Sequence, residues 1–429
     1  GPNLKDDLWK SPWQEPGQYV TFEMDRGGWN NVRMSLELVF AFARATGRTV
    51  VLPRDEHMYF PDPGVQAKDF FKHAHGFADF FPIWDMHKRG TQPLVTMDDF
   101  LQREAYTGGL GPPPSAPLQN LGYRPLRDYL RGLGLDPTND AVFMPKVNND
   151  GRSHFLAFPT GKDAPVISNQ TLTAPTGASL ELVERLRTFA AGRTVLPFDG
   201  SWRTAKVVHF ASFPNKGYRL LTHFYTFFFF ADPSMDRRIK RFTRDHFRYT
   251  DEIWCAAARV LRLLRRDAQA ISPNMPFTAF HVRHGDFQFK VVRVSAKEMI
   301  DNTRDILTPG ELVYIATDEK NTSFFDEFRE EFTVRFLGDY FEEAGLADVQ
   351  PNFLGMIDTI IASRARIFVG TWFSTFSGYI IRLRGYYGTD RDSFYYYPKK
   401  KFVMQSDDPP SDPFYTREWP TAWRGIDVE

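Results

Sequence analysis

Residues 18–53 read QYVTFEMDRGGWNNVRMSLELVFAFARATGRTVVLP and spell strand, glycine loop, helix, strand. The segment 18–22 is short and rich in β-favouring residues, and it runs through Glu23, Met24, Asp25 and Arg26 into Gly27-Gly28-Trp29-Asn30-Asn31. From Val32 to Ala45 apolar residues recur at 32, 36, 39, 40 and 43 and again at 34, 38 and 42. That spacing predicts a helix buried over most of its circumference and closed by Gly47. The next stretch, RTVVLP at 48–53, reads as a buried parallel strand.

The same alternation returns after residue 277. A strand at 277–282 precedes a helix from Ser295, with Glu298 at capping-box spacing. Strands at 312–316, 333–337 and 366–369 precede helices at 322–332, 351–363 and 374–383. Strands alternating with helices of this length predict parallel sheets covered on both faces, with ligands at the carboxyl ends of the strands. The expected architecture is α/β, two Rossmann-type doubly wound domains facing a central cleft. Between the two alternating regions, a strand is expected at 206–210 and a helix at 251–267, while 108–122 (GGLGPPPSAPLQNLG) is loop by composition. The domains are expected at 3–275 and 276–384, with a tail, 385–429, packing back on the first.

Composition agrees with that scale. At about 150 residues per domain, 429 residues make two or three domains, and 42% apolar content with 16% aromatic residues excludes a disordered or fibrous chain. Fifty-three Lys+Arg balance 53 Asp+Glu, so no positive field of the size that nucleic-acid backbones require is present and nucleic acid is excluded as a partner. One cysteine, Cys255, allows neither an internal disulfide nor a cysteine-based zinc site. The longest strongly apolar run, 224–231 (FYTFFFFA), is far below the roughly 20 residues that span a bilayer, and no membrane contact is expected. Gly1-Pro2, without an initiator methionine, reads as a protease-cleavage scar, so targeting information is expected to have preceded it. The compartment is left open: an ER/Golgi lumen if an anchor preceded residue 1, the cytosol on cysteine count. Asn169-Gln170-Thr171 and Asn321-Thr322-Ser323 are glycosylation acceptors only in the first case.

Three segments carry candidate chemistry. The loop Gly27-Gly28-Trp29-Asn30-Asn31 lies between strand and helix, where glycines let backbone approach a ligand and a helix start offers N–H groups to an anion. A diphosphate suits it, an ordinary tight turn is the alternative, and neither GxGxxG nor GxxxxGK[ST] is present. At the second strand end, Phe280-His281-Val282-Arg283-His284-Gly285-Asp286, His281 and Arg283 project to one face. Arg283 is suited to grip phosphate oxygens, or else to pair with Asp286. Arg283-His284-Gly285 also has the form of a histidine-phosphatase nucleophile motif, but the ten histidines end at His284, so the second histidine of that chemistry is missing. In the third segment, 368–377 (FVGTWFSTFS), a strand runs into a hydroxyl-rich helix start, so Ser374 and Thr375 are either phosphate donors or helix caps. Asp358 interrupts the apolar run FLGMIDTII and is suited to the ring N–H groups of guanine or to a basic neighbour. Asp390-Arg391-Asp392 has the DxD form of a metal-dependent transferase but reads as a solvated turn, and His73 with His75 reads as a surface pair. No metal site is expected.

Together these segments resemble the GDP-fucose protein O-fucosyltransferase superfamily, which is related to the α1,6-fucosyltransferases. The likeness covers 22–53 and most of 277–388, in family order. It implies a two-domain GT-B-like fold and an inverting transfer of fucose from GDP-β-L-fucose to a hydroxyl of a protein (Ser/Thr) or glycan acceptor, with no metal or other cofactor. It places Asn31, with the loop Gly27, Gly28, Trp29 and Asn30, near the donor phosphates and the reaction centre. Arg283 falls on the β-phosphate arginine, His281 on its strand partner and Asp358 on the guanine-pairing acid. Thr371, Ser374, Thr375 and Phe376 fall on the phosphate-binding and nucleotide-packing segment. Where some relatives have a glutamate base just before the loop glycine, this chain has Gly27; Glu23 or Asp25 is then the substitute, or no protein base acts. Two alternatives stand beside this reading: another nucleotide sugar on the same fold, as in rhamnosyltransferases, and a nucleotide- or glycan-binding module without turnover.

Overall fold

The computed structural model describes residues 4–58, 60, 74–115, 117–121, 124–132, 141–147, 151–212, 217–272, 276–285, 287–397, 400–404 and 416–428. The chain divides into two compact α/β units: one takes most of the chain up to Arg248 and the last residues from Ile426, the other takes Tyr249–Gly425. This boundary differs from the expected 275/276. Helix Asp251–Ile271 packs on helix Leu354–Ser363, and the turn Pro420–Trp423 packs on helix Thr375–Tyr386. Both the long helix and the described part of the tail through Gly425 therefore belong to the second unit, because their apolar faces are covered there.

In the first unit, Tyr19–Phe22 is the middle strand of a five-stranded sheet, in which the spatial order is Leu94–Thr96, Thr49–Leu52, Tyr19–Phe22, Val207–Phe210, Val142–Phe143. All neighbours pair parallel. Helix Trp29–Thr46 is buried along its whole length except at Asn31, as its nearly all-round apolar pattern requires. It ends at Gly47, whose φ of 77° and N–H bond to Ala43 O form a left-handed cap. A Cβ there would also lie 2.5 Å from Gln14 Cβ, so both conformation and space demand glycine. Buried Arg48 then fastens the start of the sheet, donating to the carbonyls of Tyr19, Trp202, Arg203, Ala205 and Lys206.

A separate three-stranded parallel sheet, His154–Phe158 flanked by Thr194–Pro197 and Phe228–Phe230, completes this unit. The apolar run at 224–231 forms a short helix, Phe224–Phe227, followed by that last strand.

The second unit holds a six-stranded sheet ordered Thr333–Arg335, Leu312–Thr317, Thr278–Val282, Phe368–Thr371, Ser393–Tyr397, Lys400–Met404. Only the last strand is antiparallel. Numbered along the unit this is 3-2-1-4-5-6, the Rossmann order, and the chain reverses direction of winding between the first and fourth strands. Ser295 caps helix Ala296–Thr303 by accepting from Glu298 N, at the expected spacing. Among the described residues no helix is long and apolar enough to cross a membrane.

Candidate functional site

In an open parallel sheet the crevice outside the carboxyl ends at the winding reversal is where a ligand meets backbone not committed to pairing. In the second unit that point lies between Thr278–Val282 and Phe368–Thr371, and the motif residues collect around it. Thr371 Oγ1 accepts from Arg283 N at 2.9 Å and donates to His281 O at 2.8 Å, with the Tyr396 hydroxyl 2.7 Å away. Thr371, expected among the donor-binding residues, thus has its hydroxyl buried and occupied in joining the two strand ends.

The Arg283 guanidinium meets Asp318, the first residue after strand Leu312–Thr317, with Nη1 and Oδ2 2.5 Å apart. Asp318 Oδ1 also accepts from the amides of His284 at 2.8 Å and Gly285 at 3.2 Å. A Cβ on Gly285 would stand 2.6 Å from Asp318 Oδ2, so glycine lets the carboxylate close on this loop. The pair keeps side-chain exposures of 15% and 13%: the guanidinium is held but still reached by solvent. Asp286, the partner considered from sequence, lies outside the described residues. His284 is engaged by Glu319, Nδ1 to Oε2 at 2.5 Å, and stacks on Phe324.

His281 is buried, with Nδ1 2.6 Å from Ser377 Oγ and its ring 4.5 Å from that of Phe376. Burial, reinforced by Arg283, pushes its pKa down to about 3, so the imidazole is neutral near pH 7 and acts by position. Gly370 makes the pairing possible, since a Cβ there would lie 2.7 Å from Ser377 Cβ. The turn into helix Thr375–Tyr386 passes through Phe373 at φ 66°, a conformation disfavoured for a bulky side chain. Ser374 precedes the helix, is buried and makes no side-chain capping bond, so the capping account of this serine does not apply. Asp358, on helix Leu354–Ser363, accepts from the Tyr314 hydroxyl. Burial raises its pKa to about 7 although that hydrogen bond opposes the shift.

The first unit has a corresponding point between Tyr19–Phe22 and Val207–Phe210. Glu23 leaves the first of these strands and is buried. Its Oε2 accepts from Arg124 Nη1 at 2.7 Å and Ser212 N at 3.0 Å, while Oε1 lies 3.3 Å from Arg127 Nε and 3.6 Å from His209 Nε2. Burial favours the neutral acid, but His209, Arg124 and the Ser212 amide outweigh it and hold the pKa below the usual value. His209 Nδ1 is in turn 2.7 Å from Thr21 Oγ1. Asp25, also buried, takes Arg219 with both oxygens at 2.5 and 2.9 Å and accepts from Gly27 N at 2.6 Å. Both candidate bases are therefore clamped by arginines.

Gly27 has no room for a side chain: a Cβ would lie 2.3 Å from Asn31 Nδ2 and 2.7 Å from Asp25 Oδ1. A glutamate at this position cannot be accommodated without moving the loop. Gly28 is the N-cap of helix Trp29–Thr46. Trp29 packs its buried ring on Phe80 and Phe81, and Asn30 is buried with Oδ1 accepting from Arg33 Nε at 3.2 Å, so these two side chains serve the core.

Among the described residues, no group of three or more His, Cys, Asp or Glu side chains could hold a metal ion. Asp390–Asp392 is a single helical turn, His75 pairs with Asp79 at 3.3 Å, and His73 lies outside the described residues. A cavity of about 370 Å³, lined by residues including Arg185, Tyr225, Phe230 and Lys240, sits by strand Phe228–Phe230 and includes none of the motif residues.

Sequence reasoning missed Asp318, Tyr396, Arg124, Arg127 and Arg219, and gave Ser377, the last residue of the third segment, no role. Asp318 had a usable signal: it follows a parallel strand adjacent to the one that ends at Arg283.

A family model described as GDP-fucose protein O-fucosyltransferase matches residues 19–387. No curated protein matches the chain. Among solved structures the chain is similar to POFUT1 in complex with GDP, at 16% identity over 86% of this chain and 95% of that one, with a TM-score of 0.35. It is also similar to the fucosyltransferase NodZ from Bradyrhizobium, at 15% identity over 85% and 93% with a TM-score of 0.39. A mutant of Arabidopsis thaliana FUT1 in complex with GDP gives 13% identity over 90% and 71%, with a TM-score of 0.38. The matched span takes in the glycine loop, the His281–Arg283 strand end and the turn into helix Thr375–Tyr386, and the chain belongs to the GDP-fucose protein O-fucosyltransferase family.

Proposed function

We propose that this protein is an inverting fucosyltransferase that moves fucose from GDP-β-L-fucose to a hydroxyl of a protein or glycan. The observation that carries the reading is a solvent-reached Arg283 at the winding reversal of a 3-2-1-4-5-6 sheet, its amide tied to Thr371 on the strand that leads into helix Thr375–Tyr386. A guanidinium fork and the positive end of a helix neutralise a diphosphate as it departs, which lowers the barrier to breaking the sugar–oxygen bond.

In this reading the second unit binds the donor. Asp358 accepts from guanine N–H groups, Phe376 packs against the base, and Ser374 and Thr375 serve the phosphates. His281 and Thr371 position the two strand ends. The first unit serves the acceptor, with Asn31 at its glycine loop. No metal is required, because Arg283 and the helix start supply the positive potential. Glu23 and Asp25 hold their arginines and shape the loop; neither takes the acceptor proton while so clamped.

The test is calorimetry with GDP and UDP, followed by assay of GDP-fucose cleavage. Selective GDP binding with release of fucose supports the reading. UDP preferred over GDP supports a different nucleotide sugar, and GDP binding without cleavage under any acceptor supports a binding module.

A further inference from the structure

This inference rests on the reading of the second unit as the donor-binding one and stays within that unit. The ends of strands Thr278–Val282 and Leu312–Thr317 are stitched together residue by residue beyond their paired register. Thr317 Oγ1 donates to Val282 O at 2.7 Å, Arg283 Nη1 meets Asp318 Oδ2 at 2.5 Å, and His284 Nδ1 meets Glu319 Oε2 at 2.5 Å. Two consecutive basic side chains, one always charged and one titratable, are thus each held by a carboxylate at the edge where the fold places ligands.

His284 is fixed from several sides. Its ring stacks on Phe324 with centroids 4.4 Å apart, and its amide and that of Gly285 donate to Asp318. Glu319 is itself anchored, because Asn321 N donates to its Oε1 at 2.8 Å and its own amide donates to Thr317 Oγ1 at 3.0 Å. The Asn321 amide, and after it His284, hold the Glu319 pKa below the usual carboxylate value, so the pair has a lasting negative member. With Nδ1 turned to that carboxylate, the shape of the ring directs Nε2 away from it, and the side chain keeps 27% of its exposure. The neighbouring charges are engaged: Arg283 with Asp318, Arg293 with the carbonyls of Gly285 and Phe287, and Arg329 with Asp326 on the helix after Phe324. Lys320 adjoins Glu319 and offers it an amide.

We propose that His284 is a second ligand of the donor diphosphate and takes up a proton from solvent when the nucleotide binds. Glu319 supplies one negative neighbour to the ring, and a diphosphate brought to Arg283 supplies another. Both favour the imidazolium, whose Nε2–H then donates to a phosphate oxygen. Arg283 is already matched by Asp318, so a cation formed on demand offsets phosphate charge that one guanidinium leaves over. Glu319 is a positioning residue, which sets the tautomer and the direction of the ring.

The experiment is calorimetry of GDP and of guanosine in two buffers of different ionisation enthalpy. The pH is about 7.5, where an ordinary imidazole, with its reference pKa of about 6.5, is mostly neutral. The dependence of heat on buffer counts protons. Guanine contributes equally to both ligands, so the GDP value minus the guanosine value reports the phosphate end, and any proton carried by GDP itself is common to all variants. The unaltered protein is expected to show net uptake in that difference. His284→Gln should abolish it and weaken GDP about tenfold or more, the scale of one charge-assisted hydrogen bond, with guanosine affinity unchanged. His284→Arg supplies the charge permanently, so it keeps GDP affinity and loses the uptake, while Glu319→Gln lowers the uptake and leaves guanosine binding alone. Uptake that survives in His284→Gln overturns the assignment, as does GDP affinity unchanged in that variant or guanosine affinity lost along with it. If His284→Gln does not fold, His284→Arg decides, and uptake retained there overturns the assignment. GDP binding by the unaltered protein without the uptake sinks this inference alone; no binding of GDP at all sinks the donor reading, and the inference with it.

Discussion

Arg283 and Asp318 leave the carboxyl ends of two neighbouring parallel strands and meet at 2.5 Å, so the register of Thr278–Val282 on Leu312–Thr317 sets where the guanidinium points. Asp318 holds both the side chain of Arg283 and the amides of His284 and Gly285, which makes it a positioning residue.

Arg283→Ala is expected to lower GDP-fucose turnover by at least about 100-fold, the scale of one lost electrostatic stabiliser. Asp318→Asn keeps the charge of Arg283 but weakens its alignment, so it should lower kcat by a smaller factor. Steady-state assay of both variants checks the order, and equal activity of Arg283→Ala and the unaltered protein would remove the proposed mechanism.

GDP affinity should depend on Asp358. Guanine N–H groups need the ionised carboxylate, whereas burial keeps the free group protonated up to about pH 7. Affinity should therefore fall on acidification below that value, approaching about tenfold per pH unit. Calorimetry from pH 5 to 8 (an order-of-magnitude window around neutrality) should show the slope, and Asp358→Asn should bind GDP weakly and without it. The unliganded protein obeys the reverse sign. An exposed aspartate loses its proton near about 3.9, so this group makes the folded state less stable as pH rises from there to about 7.

Gly27→Ala places a methyl where Asn31 Nδ2 and Asp25 Oδ1 already stand. The loop must open to admit it, at roughly 1–3 kcal/mol of overpacking. Thermal unfolding should show a lowered Tm. Turnover should fall further than stability explains, because the Asn31 amide is displaced.

Arg48→Ala should be a pure stability defect. It strips a buried donor from carbonyls of Tyr19, Trp202, Arg203, Ala205 and Lys206 at the start of the strands, the end of the sheet away from Glu23. A loss of about 3 kcal/mol or more is expected in chemical denaturation, with GDP affinity unchanged in the protein that remains folded.

The legible part of the fold was the part with clean periodicity. Residues 18–53 and 277–383 announce strand and helix because apolar spacing changes sharply between them, and the glycines at 27, 28 and 47 punctuate the first of these regions. The sheet of His154–Phe158, Thr194–Pro197 and Phe228–Phe230 was not legible: in FYTFFFFA every residue but Thr226 is apolar or aromatic, so helix and strand share one pattern. At the site, residue types showed where ligands belong, as with Arg283, but not what each side chain touches. Thr371 read as a donor-binding residue, and its hydroxyl is taken up in joining two strands. Glu23 and Asp25 read as candidate bases, yet each faces arginines brought from 101 or more positions away along the chain. Those partnerships depend on strand order and loop closure, which local pattern does not encode.

Phe373 bends the main chain in a sense that glycine adopts most easily, and its ring rests 4.9 Å from that of Phe289 and 5.8 Å from that of Trp372. Replacing it with glycine would relax the corner and at the same stroke strip away its aromatic company. An engineer who follows conformational preference alone would choose glycine there and lose the wedge that keeps the corner's shape.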